Sequence, residues 1–302
     1  MANKWKVSTQ TAFWFDHRAD DISRADEALA FIKSCGFDAV DFNIDVKLHN
    51  SLLFHGERNT FFDASVEELL EYYRPLREAS QKHDVAIAMA HGLFPMVLEG
   101  HDELNEYIIM ATEKIIAIMA YLDCPALVVH PTNRDDKAQE WELNLAVYRR
   151  LIPAAKKYGV TICLENMPNG ACSEAEEACR YIDLLNEEAG EEIFGYCLDI
   201  GHVNISTRTL YHDLVTLGKR LTVLHIHDND GVGDHHLMPY TQRRNGAVDW
   251  EEFIRGLRDA GYEGPLSFET FAGIGLAPPE LTENSLRFIA GIGRYFASRL
   301  AE

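Results

Sequence analysis

Along the chain, short apolar runs alternate with longer stretches whose apolar positions recur at i, i+3, i+4 and i+7. The runs are KVSTQTAF (6–13), AVDFN (39–43), VAIAMAH (85–91), ALVVHP (126–131), VTICLEN (160–166), FGYCLDI (194–200), LTVLHIHD (221–228) and GPLSFET (264–270). Their length and β-type composition predict strands. Between them RADEALAFIKSCG, SVEELLEYYRPLREASQKH, LNEYIIMATEKIIAIMAYL and WELNLAVYRRLIPAAKKYG carry helical spacing. Glycine ends several of these just before the next strand, in SCGFDAV, KKYGVTI and DAGYEGPLSF. A last helix, ENSLRFIAGIGRYFASRL, completes the alternation, and no linker or low-complexity tract interrupts it. The pattern predicts an α/β fold, one (β/α)8 TIM barrel spanning 1–302 as a single domain.

In such a barrel the loops beyond the C-terminal strand ends are free to vary, while the interior is a packed core, so chemistry collects at those ends. Here they carry Asp41 and Asn43, His91, His130, Glu165 and Asn166, Asp199 with His202, His225 with His227 and Asp228, and Glu269. Burying so many ionisable groups together is costly unless something pairs them, and a divalent cation pairs several carboxylates at once. Alternate strand residues face the same way, so Cys163 lies beneath Glu165, Cys197 beneath Asp199 and Ser267 beneath Glu269. That order, neutral below and charged above, is the one expected if the charged layer faces a mouth.

Charge narrows the partners. The 48 acidic residues outnumber the 28 basic ones for a formal net charge of -20, which disfavours nucleic acid. Six cysteines without a C-x-x-C pair suit a reducing, cytoplasmic setting. The start MANKWKVSTQ lacks an apolar leader, and no run is long and apolar enough to span a bilayer, so a soluble protein without a membrane partner is expected.

The motifs LENM, CLDIGH, HIHDND and SFET, in that order, resemble the xylose isomerase-like TIM barrel superfamily, the sugar phosphate isomerase/epimerase group that also contains ketose 3-epimerases and endonuclease IV. The resemblance implies one divalent ion (manganese, magnesium, cobalt or zinc) held by Glu165, Asp199, His227 and Glu269. It also implies proton transfer through a metal-stabilised enediolate, with Glu165 and Glu269 as base and acid. His202 matches the substrate-contacting histidine after the aspartate, and His225, two residues deeper than His227, is expected to support the ligands from behind. The substrate implied is a small sugar or sugar phosphate. Where ketose 3-epimerases carry a further glutamate and an arginine, this chain has Ala171 and Gly233, so the resemblance implies the family and its chemistry rather than a named hexulose.

Endonuclease IV, which binds three zinc ions, supplies a second reading. His91, His130, Glu165, Asp199, His202, His227, Asp234, His236 and Glu269 match its ligands by type, so His91, His130, His202, Asp234 and His236 are expected to bind substrate or further zinc. Against a DNA substrate stand the acidic loops EGHDELNE, DNDGVGD and SEAEEA, and the scatter of Arg134, Arg208, Arg243 and Arg244 over different loops. An isomerase or epimerase is therefore preferred to a hydrolase, with a catalytically silent metal-bound sugar-binding protein as a third class. The segment 48–59, with His49 and His55, reads as a lid or subunit contact, and Phe13 to Arg18 as either core or a sugar-stacking patch. Asp249 is expected to cap a helix, and a dimer or tetramer is expected only from the general frequency of homo-oligomers.

Overall fold

The eight apolar runs become eight parallel strands of one sheet: β1 (Val7–Gln10), β2 (Ala39–Asn43), β3 (Ala86–His91), β4 (Ala126–Val129), β5 (Thr161–Glu165), β6 (Phe194–Asp199), β7 (Leu221–His225) and β8 (Leu266–Phe268). The computed structural model describes residues 4–11, 22–168, 170–206, 208–242 and 246–302. Phe13, Trp14, Phe15, Asp16, His17 and Arg18, together with Arg243 and Arg244, lie outside the described residues.

Each strand pairs with its neighbours in chain order, and β1 also pairs with β8. The ring closes just past β7: the Ile226 N–H donates to the Ser267 carbonyl at 2.8 Å, and the Glu269 N–H to the Ile226 carbonyl at 3.1 Å. The expected (β/α)8 architecture is therefore present, with the helices α1 (Ala25–Ser34), α2 (Val66–His83), α3 (Asp102–Tyr121), α4 (Lys137–Tyr158), α5 (Ala175–Ala189), α6 (Leu210–Leu217), α7 (Trp250–Ala260) and α8 (Thr282–Leu300).

Local chemistry sets these boundaries. Ser65 and Glu68 form a reciprocal capping box at the start of α2, and Asp136 and Asp249 accept the first free N–H groups of α4 and α7. Gly159 and Gly261 end α4 and α7 at φ 67° and 68°, a left-handed turn that costs glycine little. Several strands stop short of their apolar runs, because polar residues at the strand ends leave the ladder to bond elsewhere: Asp199 ends β6 and caps the short helix Ile200–Asn204. The expected loop 48–59 contains a short helix, Asn50–Phe54.

The packing falls into two zones. Outer strand faces and inner helix faces form one large apolar core. Inside the ring, Met89, Ala126, Val128, Cys163, Cys197 and Val223 form a separate small cluster. One pleat above them, on the same strands, stand His91, His130, Glu165, Asp199 and His225.

Candidate functional site

The backbone at the mouth is tied before any side chain reaches inward. The Asn166 carboxamide donates to the Asp199 carbonyl at 2.8 Å and accepts the Asp199 N–H at 2.7 Å, locking β5 to β6. The Asp199 carboxylate accepts the His202 N–H at 2.8 Å. His202 Nδ1 lies 2.7 Å from the Asn166 carbonyl oxygen, so Nδ1 carries the proton there and Nε2 turns to Asp234 Oδ2 at 3.2 Å. Gly201 packs so closely on the His227 ring that a Cβ would overlap it, which explains the glycine in CLDIGH.

Three groups of donors adjoin one another. In the central group, ligand atoms of Glu165, Asp199, His225 and Glu269 all lie within 4.8 Å of one another. His225 Nδ1 is 3.1 Å from Glu165 Oε1 and 3.3 Å from Glu269 Oε2. On one flank are His91, His130 and Glu165, with His130 Nε2 3.2 Å from Glu165 Oε2 and 3.3 Å from His91 Nε2. On the other are His227, Asp234 and His236, with His236 Nε2 3.2 Å from Asp234 Oδ2 and its ring stacked on His227 at 4.0 Å. His227 Nε2 joins this flank to the centre through Asp199, at 2.9 and 3.0 Å from its two oxygens.

All nine residues matched to ligands in the sequence thus meet at one mouth, together with His225. The division between the two β7 histidines is less sharp than the strand pattern implies. His227, expected as the ligand, touches Asp199 and approaches Asp234. His225, expected as a support, contacts Glu165 and Glu269 directly. Asp41, which the sequence marks only as one more strand-end carboxylate, stands behind both His225 and His91: its Oδ2 is 3.3 Å from His225 Nε2 and 3.8 Å from His91 Nδ1. His91 and His225 lie parallel, 3° apart with centroids at 4.9 Å.

Burial alone would raise every carboxylate here, yet the facing imidazoles prevail. Asp41 is held at about 2 by His225 and His91, and Asp199 at about 2 by His202 and His227. Glu165 lies well below the usual carboxylate range beside His225 and His130. Burial would lower the imidazoles, but Asp41 and Glu269 lift His91 to about 9, Asp199 and Asp234 lift His202 to about 10, and Glu269 with Asp234 lifts His236 to about 9. The groups stay charged because they face one another.

That pairing is incomplete as hydrogen bonding. Both Asp41 oxygens, Glu165 Oε2, both His225 nitrogens, His91 Nδ1 and His130 Nδ1 are buried without a hydrogen-bond partner of adequate geometry. Buried polar atoms are normally satisfied. Orphaned nitrogens and carboxylate oxygens gathered in one place fit a divalent ion that takes both donor types, such as zinc or manganese.

Beside the central group lies a cavity of about 490 Å³ lined by Glu269, His91, Gln10, Asp45 and His49 among others. His49 brings the segment 48–59 to the mouth, whereas His55 is exposed and bonds the Ser51 carbonyl. Two larger clefts, about 640 and 690 Å³, contain none of these residues. Gln10 and Asp45 carry no motif in the sequence, since one amide and one loop carboxylate have no periodic or spacing signature.

A family model described as xylose isomerase-like TIM barrel matches residues 29–292. The chain belongs to this family. An uncharacterized protein, y4fM, of Sinorhizobium fredii is 26% identical over 180 residues, 57% of this chain and 56% of that protein. The ketose 3-epimerase of Arthrobacter globiformis is 26% identical over 136 residues, 44% of this chain and 43% of that enzyme. The chain spans about half the length of these curated relatives. A crystal structure of D-psicose 3-epimerase in the presence of D-fructose superposes with a TM-score of 0.70 at 17% identity, covering 97% of this chain and 99% of that one. The two share the barrel fold along nearly their whole length.

Proposed function

We propose that the protein is a divalent-metal-dependent isomerase or epimerase of sugars or sugar phosphates, a carbohydrate isomerase of class EC 5. The observation that carries this reading is the approach of Glu165 from β5 and Glu269 from β8 to the same His225 nitrogen, at the edge of a cavity large enough for a small molecule. Two carboxylates reaching one point from different sides of a ring suit removal of a proton from carbon on one face and its return on the other.

Glu165, Asp199, Glu269 and His227 or His225 would hold a divalent ion (manganese, magnesium, cobalt or zinc), which would supply Lewis acidity to the bound sugar. Glu165, ionised beside His225 and His130, takes the proton from the carbon next to the carbonyl. Glu269 returns one. Return to the opposite face inverts that carbon; return to the neighbouring carbon, with the hydroxyl proton passing to the former carbonyl oxygen, moves the carbonyl. His202, fixed at Nδ1 by the Asn166 carbonyl, presents its other nitrogen towards Asp234 and a substrate hydroxyl. Similarity to the Arthrobacter ketose 3-epimerase supports this class of chemistry. The same reading takes the enzyme as a cytoplasmic homo-oligomer without nucleic-acid or membrane partners; its six unpaired cysteines support a reducing compartment and its net charge of -20 disfavours nucleic acid.

The two flanking groups favour a second reading, a multi-zinc phosphodiester hydrolase of the endonuclease IV type, because His91, His130 and Glu165 and then His227, Asp234 and His236 each offer three donors. Metal content per chain, measured by plasma mass spectrometry on protein purified without added metal or chelator, separates the two. The isomerase reading expects one ion, absent from Glu165→Gln and retained when Asp234 and His236 are both replaced by alanine. Two or three zinc ions, with loss of at least one in the double variant, would establish the hydrolase instead.

A further inference from the structure

The cavity beside Glu269 is built unlike the donor groups next to it. Gln10, at the end of β1, is 1% exposed, and neither its Oε1 nor its Nε2 has a hydrogen-bond partner. Asp45 Oδ1 is likewise buried and unpartnered. Both residues line the cavity together with His91 and Glu269, and the register of β1 on β8 sets Gln10 beside Glu269. An amide buried with both ends unsatisfied is costly, and such groups in binding sites are commonly completed by the ligand. Phe271, 41% exposed, adds an apolar surface to the cavity.

The chemistry of this wall selects among ligands. A hydroxyl both donates and accepts, so one hydroxyl satisfies a carboxamide oxygen and the next its amino group. A phosphate dianion only accepts, and it would leave Gln10 Oε1 unpaired while facing the Asp45 carboxyl. Among the described residues, no lysine or arginine lines the cavity. The C–H faces of a polyhydroxylated chain suit the Phe271 ring.

We propose that this cavity takes the hydroxylated chain of an uncharged sugar, with hydroxyls on Gln10 and Asp45 and the reacting end at Glu269. This inference rests on the isomerase reading and adds that the substrate is a free ketose or aldose rather than its phosphate ester. Gln10 and Asp45 then determine specificity.

The test follows metal-loaded protein with free pentuloses and hexuloses and their terminal phosphate esters, by two readouts. Solvent-deuterium incorporation next to the carbonyl, followed by NMR, reports turnover, and calorimetric titration with the same sugars reports binding. Free sugars are expected to bind and exchange better than their esters. Gln10→Leu is expected to raise KM and Kd for the best free sugar about tenfold while kcat changes much less. Its melting temperature is expected to stay at or above that of the wild type, because the deleted polar atoms have no partner to lose; Asp45→Asn, a smaller change, is expected to weaken free-sugar binding in the same direction.

Tighter binding of an ester, or free-sugar binding untouched in both variants, would overturn the inference and leave the isomerase reading in place. Free-sugar binding that depends on Gln10 without any deuterium incorporation would support the cavity assignment and remove the isomerase. If neither sugar class binds, both fall.

Discussion

Two layers inside the ring stand one pleat apart on the same strands and are built on opposite principles. The lower layer, Met89, Ala126, Val128, Cys163, Cys197 and Val223, contains no charged group and is almost wholly buried. The upper layer, His91, His130, Glu165, Asp199 and His225, consists of ionisable groups, most of them equally buried. A sheet places alternate residues on one face without regard to their chemistry. Stability is therefore cheapest in the lower layer, where dry packing suffices, while the upper layer is held charged by mutual pairing and offers the donors that a cation would need. Local inconsistency of this kind, charges where a core is expected, marks a functional site.

Substitutions sharpen the contrast. Glu269→Gln in the upper layer is expected to lower turnover by about 10³-fold, within the range for loss of a general acid or base, while the circular dichroism spectrum and melting temperature stay close to wild type. Turnover within a few-fold of wild type would remove Glu269 from the chemistry. Met89→Ala in the lower layer is expected to do the reverse: a loss of ~2–5 kcal/mol of stability in denaturant unfolding, with metal content per chain unchanged. If metal is lost along with stability, the two layers are one cooperative unit rather than a scaffold and a site.

A smaller effect separates them by pH. Asp41 and Asp199, held at about 2 when folded, add stability that is present above the ordinary carboxyl value of 3.8 and is lost as pH falls towards 2. His91 and His236 at about 9, and His202 at about 10, add stability that is complete below 6.5 and is lost as pH rises through 9 to 10. The metal-free protein is thus expected to be most stable between about pH 4 and 6.5, and its melting temperature to fall by several degrees from pH 6.5 to 9.5. In the loaded protein a cation replaces the imidazole protons, and the alkaline decline should be much reduced. Melting curves of both forms across this range test it; a flat metal-free profile above pH 6.5 would show that the upper layer is not held together by protonated imidazoles.

Much of this arrangement is legible before folding. AVDFN matches β2 residue for residue, glycine marks the ends of α4 and α7, and Asp249 caps α7. The strand-end reading brings Glu165, Asp199 and Glu269 to one mouth because each is the last or next residue of its strand. The reading is weaker where it depends on how far a side chain reaches across the ring. His225 and His227 share a face of β7, and strand position alone puts His227 nearer the opening, yet His225 is the one that bridges Glu165 and Glu269.

The sequence by itself determined the alternation of strands and helices, the parallel ring, and the charged layer above the neutral one, since periodicity and capping are local properties of the backbone. Only the tertiary structure decided that Asp41 stands behind both His91 and His225, that Gly201 makes room for His227, and that Gln10 and Glu269 line one cavity. Those relations join strands distant in sequence, and they depend on how the ring closes and which rotamer each side chain adopts against its neighbours, which no local pattern encodes.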